Sequence, residues 1–571
     1  MKDGRAVLDE RAGLDRETMG EKVAAVKETD LSEKGELSEL DEDAPPPLHV
    51  FPILTKLRAV ALVATLTAAM VLNILQTQSV IIALDHIGAD LDITISNYQW
   101  LSSAYSLAFG SVLLLFGRLA DIHGHKLVFL LGMAWFCVWS IGISLAPNEI
   151  SADLFRAFQG MGAGAAIPSA LGILGSSFAP SQAKSTAFAV FSGGAPLGGS
   201  LGGVFGGVFT QYASWRAIFY VSAGLAAVIC FAGFFVIPPD SKRRVEDKSV
   251  DWVGGALITV GLVLMTFALA DGSSAPNGWR TPYVPTLFSI GVILIVSFWF
   301  WEKHVEFVRR GIPLMRTSLW YKGRFAAVQL IAFFGWSAFS SYQDFEGLKP
   351  ILTTIRFLPS PITGLFLNLL VALIAHLVPA QVMLILGGLG TGLAPLLFAL
   401  QRVGVPYWEF QFPAMILIVF GADFIFATGI MYVNFIFATG IMFPSSFLRL
   451  GSLRYVSKIA GSGEQALAGG VFNMLTQVGT AFGLAIMTLI QTKVTAREVQ
   501  RLGGTYDANT LNVPASATEK GLRAAFWGCV AFAFCAMAVA ATCCWGIGKV
   551  GHKVQKPVSV EEGVGPSVKE P

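Results

Sequence analysis

Apolar runs of about twenty residues, separated by short polar or charged breaks, recur along almost the whole chain. A run of that length crosses about 30 Å of hydrocarbon as an α-helix. The pattern predicts helices over Leu57–Leu84, Tyr98–Leu119, Leu127–Ala146, Ala152–Phe178, Thr186–Thr210 and Trp215–Ile237. A charged break, DSKRRVEDKSVD (Asp240–Asp251), closes that group; Trp252–Ala270 and Val284–Trp301 follow, then a second basic break, EKHVEFVRRG. The last group is Phe325–Ser341, Ile362–Leu377, Ala380–Leu400, Phe412–Phe443, Gln465–Gln491 and Ala524–Gly546. Fourteen helices grouped six, two and six predict an all-α, polytopic membrane protein. Six plus six suggests two related bundles enclosing a central cavity, with the extra pair inserted between them, for which rocking of one bundle against the other is the expected mechanics.

Composition agrees. Only 14% of the 571 residues are charged and 54% are hydrophobic, against about a quarter charged in soluble domains; the mean hydropathy is +0.62. The predicted organisation is an acidic tail (1–56), a six-helix bundle (57–238), a linker carrying the extra pair (239–323), a second six-helix bundle (324–547) and a short tail (548–571). Met1–Val50 holds 14 Asp/Glu against 7 Lys/Arg, which reads as a solvated, disordered tail and argues against a nucleic-acid partner. If that tail is cytoplasmic, every second loop should be basic. Those loops carry Arg118, Lys126, Lys184, Lys242–Arg244, Lys303, Arg309, Arg310, Lys322, Arg324, Arg449, Arg454 and Lys458, and Lys549, Lys553 and Lys556 follow the last helix. The long loop Thr492–Gly521 is the exception. Both termini are thus expected in the cytoplasm. All six cysteines lie in apolar segments and read as packing residues, with Cys543 and Cys544 near a helix end as acylation alternatives. No Cys/His metal spacing, no catalytic constellation and no Walker-type G-x-x-x-x-G-K-[ST] occurs, so the chain reads as a non-enzyme needing no metal, cofactor or ATP.

Three segments carry the candidate mechanism. The loop GRLADIHGHKLVFLLG (Gly117–Gly132) combines two glycines suited to tight turns, Gly117 and Gly124, with a carboxylate, Asp121, that can accept hydrogen bonds at a helix N-terminus. Arg118 and Lys126 add cations, and the set reads as a cytoplasmic latch or, more plainly, as a basic topogenic loop. LFRAFQGMGAGAA (Leu154–Ala166) places Arg156 inside a span, with Gln159 on the same face and Gly160-x-x-x-Gly164 available for close helix packing. GGSLGGVFGG (Gly198–Gly207) sets Gly198, Gly202 and Gly206 on one ridge, followed by Gly207.

These segments resemble the major facilitator superfamily. The first matches its G-x-L-a-D-x-x-G-x-[RK] signature through Gly117, Leu119, Asp121, Gly124 and Lys126. The second resembles the R-x-x-Q-G motif of proton-coupled members, which implies that Arg156 and Gln159 influence proton transfer. The third resembles the antiporter motif G-x-x-x-G-P-x-x-G-G, associated with exporters; Gly203 stands at the motif's proline position and Pro196 lies seven residues upstream. With fourteen spans, the resemblance is to the drug:proton antiporter branch, particularly fungal members that export drugs or secondary-metabolite toxins. It implies a major facilitator fold and proton-driven export of an amphipathic small molecule, by a monomer in the plasma membrane. Uptake of a nutrient or siderophore stays open as a second reading, and a non-transporting sensor or damaged relative as a third.

Polar groups within spans nominate the cavity: Asn73, Thr77 and Gln78 on the first predicted helix, Trp100 and Tyr105 on the second, and Asn473 and Gln477 on the thirteenth. Proton coupling needs a titratable group in the membrane, for which Asp423, Asp85, Asp153 and Glu464 are the candidates, Asp423 the deepest. Asp423 adjoins an oddity: the octapeptide FIFATGIM occurs at 424–431 and again at 435–442. The eleven-residue period returns the same helix face, yet Phe412–Phe443 would run to about 48 Å, well beyond the hydrocarbon. With the polar insertion after it and the short ninth helix, the repeat reads as a scar of splicing rather than a working duplication; segmental duplication is the alternative.

Overall fold

The computed structural model describes residues 55–545 apart from 94–96, 179–181, 241–249, 273–274, 276–277, 310–312, 316, 318–319, 321–322, 340–355, 357–358, 375–376, 402–404, 440–464 and 505–513. The acidic tail up to Val50, the basic positions Lys242–Arg244, Arg310, Lys322, Arg449, Arg454, Lys458, Lys549, Lys553 and Lys556, and Glu464 lie outside the described residues.

Fourteen α-helices are described: α1 Lys56–Asp90, α2 Tyr98–His123, α3 His125–Ser144, α4 Glu149–Ser177, α5 Gln182–Tyr212, α6 Trp215–Val236, α7 Trp252–Asp271, α8 Tyr283–His304, α9 Gly323–Phe339, α10 Pro359–Ile374, α11 Ala380–Leu400, α12 Gln411–Thr439, α13 Gln465–Arg501 and α14 Ala515–Cys543. Twelve are long and apolar enough to cross a membrane; α9 and α10 are shorter apolar helices. Side-chain caps start several of them. Asn148 and Ser151 form a reciprocal capping box on α4, Ser214 accepts from Arg216 N at α6, and Asp251 accepts from Gly254 N at α7.

Several predicted boundaries move: α1 runs on to Asp90 rather than ending at Leu84. The polar stretch after Gln491 is helical to Arg501, and α14 begins at Ala515 rather than Ala524. Two of the basic residues that made this segment the exception among the loops are paired there, Lys520 and Arg501 with Glu498, and Glu519 pairs with Arg523. Helical geometry puts these side chains three or four residues apart or across two facing helices, so the polar residues extend the helices instead of breaking them. The helix carrying the repeat is described as far as Thr439, and its predicted end, Phe443, lies with Gly440 to Met442 outside the described residues. Its first copy is core: Phe424, Ile425, Ala427 and Ile430 are buried. Ile425 also fills the space where Gly335 of α9 and Gly387 of α11 lack side chains.

Packing divides the helices. α1 lies on α5 and α6, α2 on α4, and α3 on α4 and α6; α9 lies on α13 and α14, and α11 on α12 and α14. The two groups meet where α13 packs on α2 and α4, and where α5 packs on α10 and α12. α7 pairs with α8 and leans on α2 and α13. Within its most apolar window α4 is 83% buried and α8 only 17%, which puts α4 at the centre and α8 on the lipid-facing rim. Residues such as Leu131, Val228, Phe231, Ile293 and Phe300 are exposed, as an acyl-chain surface requires.

Candidate functional site

At the α2–α3 loop, Gly124 has φ +105, a left-handed conformation that disfavours any side chain. A Cβ there would also lie 2.4 Å from Asp240 Oδ2. Asp240, beyond the end of α6, accepts from the backbone N–H groups of His125 and Lys126 at 3.2 Å and so caps the start of α3 from the segment that follows α6. Lys126 Nζ donates to the Phe234 and Ile237 carbonyls at the C-terminus of α6, at 2.8 and 2.7 Å, where negative partial charge favours a cation. Asp121 sits 2.9 Å from His125 Nε2. Gly117 and Arg118 are buried, the Nη2 of Arg118 without a hydrogen-bond partner among the described residues. The described ties of Lys126 and Asp240 therefore clamp α3 to α6.

The second cluster lies at the centre of the first six helices. Arg156 on α4 is fully buried; its Nε donates to Leu101 O at 2.9 Å and its Nη1 to Gln159 Oε1 at 2.8 Å. Gln159 Nε2 donates to Ser140 Oγ of α3 at 2.7 Å. The guanidinium lies over the Tyr105 ring, 4.5 Å from its centroid, and the Tyr105 hydroxyl donates to Asn73 Oδ1 of α1 at 2.5 Å. One polar chain, Asn73–Tyr105–Arg156–Gln159–Ser140, thus joins four helices, and Arg156 Nη2 remains unpartnered within it. No snorkelling is possible for a side chain held this way. Gly160 and Gly164 permit the arrangement: a Cβ at Gly160 would lie 2.4 Å from Tyr105 O, and one at Gly164 2.5 Å from Val112 Cγ2, so α4 sits directly on α2.

The third cluster is the glycine ridge of α5. Cβ atoms at Gly198, Gly202 and Gly206 would lie 2.5 Å from Val71 O, 2.6 Å from Leu75 O and 2.7 Å from Ser79 O, all on α1. Ser79 Oγ donates to Gly202 O at 2.9 Å across this contact. Gly207 is buried beside the ridge. On its other side α5 meets the second group at Pro196: a Cβ built on Gly364 of α10 would lie 2.4 Å from Pro196 Cβ and 2.9 Å from Asp423 Oδ2 of α12. Asn368 of α10 lies beside the Asp423 carboxyl, and Asn368 Nδ2 donates to Gly364 O at 2.9 Å. Both Asp423 Oδ2 and Asn368 Oδ1 are buried without a partner among the described residues.

The remaining cavity candidates spread out. Thr77 Oγ1 donates back to Asn73 O at 3.2 Å. Gln78 packs against the Gly202 position, and Trp100 meets Phe267 of α7 with the rings tilted and their centroids 4.9 Å apart. On α13, Asn473 is buried and donates to Gly469 O at 2.9 Å, while Gln477 is half-buried against Gly110 of α2 where the two groups meet. Asp85 is exposed on α1 and Asp153 is half-buried a turn before Arg156. Asp240, Ser140, Asn368 and Pro196 are partners that local sequence patterns did not nominate, because each acts across helices far apart in the chain.

The sequence profile of the Major Facilitator Superfamily matches residues 66–483. The chain is 28% identical to "Efflux pump terJ" of Aspergillus terreus over 59% of its own length and 67% of that protein's. It is 32% identical to "Low affinity ammonium transporter" of Saccharomyces cerevisiae over 57% of its own length and 65% of that protein's. In structure it resembles the POT family transporter PepTSo, with a TM-score of 0.54 and 14% identity, covering 86% of this chain and 98% of that one. With the profile spanning most of its helices, the chain belongs to the Major Facilitator Superfamily.

Proposed function

We propose that this protein exports amphipathic small molecules across the plasma membrane by proton antiport, with both termini in the cytoplasm and a monomer as the working unit. The observation that carries the reading is the placement of α5. One flank is seated on α1 through Gly198, Gly202 and Gly206, and the other meets α10 and α12 at Pro196. A helix that contacts both six-helix groups and carries an interior proline is suited to transmit a rocking motion between them. The buried Arg156 chain supplies a charge that registers proton movement in its neighbourhood, and the loop clamped by Gly124 and Asp240 stiffens the inner end of the first group. The efflux-pump relative supports the outward direction.

Reconstituted vesicles acidified inside test this reading, with ethidium as a fluorescent amphipathic cation. Antiport drives ethidium inward against the outgoing proton, and movement of ethidium out with the proton would overturn export. Proton-coupled uptake is the second reading, favoured by the ammonium-transporter relative; in the same vesicles it would move ammonium, and not ethidium, along the proton gradient.

A further inference from the structure

We propose that Asp423 carries the transported proton and that its protonation closes the junction of α5, α10 and α12. The proposal deepens the proton-antiport reading and rests on it, while naming a site defined by geometry alone. Three observations meet at one point. Pro196 Cβ and Asp423 Oδ2 both crowd the position above the Gly364 Cα, so the carboxyl lies where the first six-helix group touches the second. Asp423 is buried, and its Oδ2 has no partner among the described residues. Asn368, beside the carboxyl, has its Nδ2 spent on Gly364 O and its Oδ1 buried without a donor among the described residues. A proton on Asp423 removes a charge from an apolar interior and makes the carboxyl a donor, of the kind the unpartnered Asn368 Oδ1 lacks.

Among the described residues, no counter-charge is placed to hold an ionised carboxylate there. Five helices pack on α12, namely α5, α9, α10, α11 and α13. α10 and α11 contain no ionisable residue. α5 carries Lys184 and Tyr212 near its two ends; Lys184 Nζ is engaged by Gly175 O at 2.7 Å and lies about 18 Å along the helix from Pro196. α9 carries Arg324 at its start, facing Tyr432, itself about 13 Å along α12 from Asp423. α13 carries Lys493, Arg497, Glu498 and Arg501 in its last turns. The ionised form therefore requires water, and water reaches Asp423 only if α10 and α12 separate from α5. Proton release and opening of the junction become one event, and protonation and closure the reverse.

The test reads that event without any substrate. In the full-length protein in lipid nanodiscs, hydrogen–deuterium exchange of the α10 peptides is followed from about pH 5.5 to about pH 9, after correction for intrinsic exchange chemistry. The wild type is expected to lose protection on α10 by about tenfold, the change that a one-unit shift in a single group's proton affinity produces. Asp423→Asn, permanently neutral, should keep the low-pH protection throughout, and Asp423→Glu should restore pH dependence. A wild type whose protection does not change with pH, or an Asp423→Asn protein that still responds as the wild type does, would overturn the assignment. The ethidium vesicle assay on the wild type judges the export reading separately, because the exchange experiment is indifferent to what is transported and in which direction.

Discussion

Two neighbouring glycines on α5 allow the packing of the α1–α5 seam to be weighed. A methyl group added at Gly202 would lie 2.6 Å from Leu75 O, 2.8 Å from Gln78 Cβ and 3.0 Å from Leu75 Cα. The first of these is backbone and cannot swing aside, so α5 must move off α1 by several tenths of an ångström, lengthening the Ser79–Gly202 hydrogen bond. A methyl group at Gly199 would meet nothing within 4 Å. Both replacements gain the same helix propensity, about 1 kcal/mol for alanine over glycine. Comparing Gly202→Ala with Gly199→Ala therefore cancels propensity and leaves the packing cost, about 1–3 kcal/mol for forcing a methyl into a filled interface. The assay is thermal unfolding of the purified proteins in one detergent, followed by tryptophan fluorescence. Gly199→Ala should melt at or slightly above the wild type, and Gly202→Ala clearly below Gly199→Ala. Equal melting temperatures for the two variants would refute the claim that the ridge holds α5 to α1.

Other consequences are as direct. Tyr105→Phe keeps the ring under Arg156 but deletes the hydroxyl donated to Asn73, and should cost about 1 kcal/mol in thermal unfolding. Arg156→Lys removes the ring-stacked fork held by Leu101 O and Gln159, and ethidium flux in vesicles should fall at least tenfold with expression retained; unchanged flux would exclude Arg156 from the mechanism. Asp240→Ala uncaps α3 and should destabilise by about 0.5–2 kcal/mol, with Gly124→Ala at least as severe because its φ of +105 is strained for alanine. Lys184, just ahead of the span Thr186–Tyr212, is held at about 8 by burial against an ordinary value of 10.5. Between those pH values the unfolded chain binds more protons, so stability relative to Lys184→Met should rise with pH, by up to roughly 3 kcal/mol. A difference that stays flat across that window would show that Lys184 is not held as its burial implies.

The fold was legible because every span must satisfy its own backbone hydrogen bonds and expose apolar side chains to lipid, which writes a twenty-residue period into the chain. Helix ends were less so. The residues after Gln491 are polar, and polarity reads as a loop, but Glu498, Lys520 and Arg501 spend that polarity on one another along and between helices. The first copy of the repeat is packed core, with Ile425 filling gaps opposite Gly335 and Gly387, packing that no one-dimensional pattern records. Within the candidate site, features with a local spacing were visible: the ridge Gly198, Gly202, Gly206, the pair Arg156 and Gln159, and the loop around Gly124. Their partners were not. Asp240 meets Lys126 from the end of α6, and Pro196 meets Gly364 and Asp423 from two other helices, contacts that no one-dimensional pattern records.

The extra pair makes the two flanks of the molecule unequal. α7 rests on both α2 and α13, with Phe267 against Trp100, and so covers the crevice between those two helices from the bilayer side. No described helix outside the two six-helix groups covers the opposite crevice in the same way, where α5 meets α10 and where Ile362, Leu365, Phe366 and Leu369 of α10 stand bare to acyl chains. A greasy compound dissolved in the leaflet therefore faces one shuttered flank and one unshuttered, with the carboxyl of Asp423 buried behind the latter.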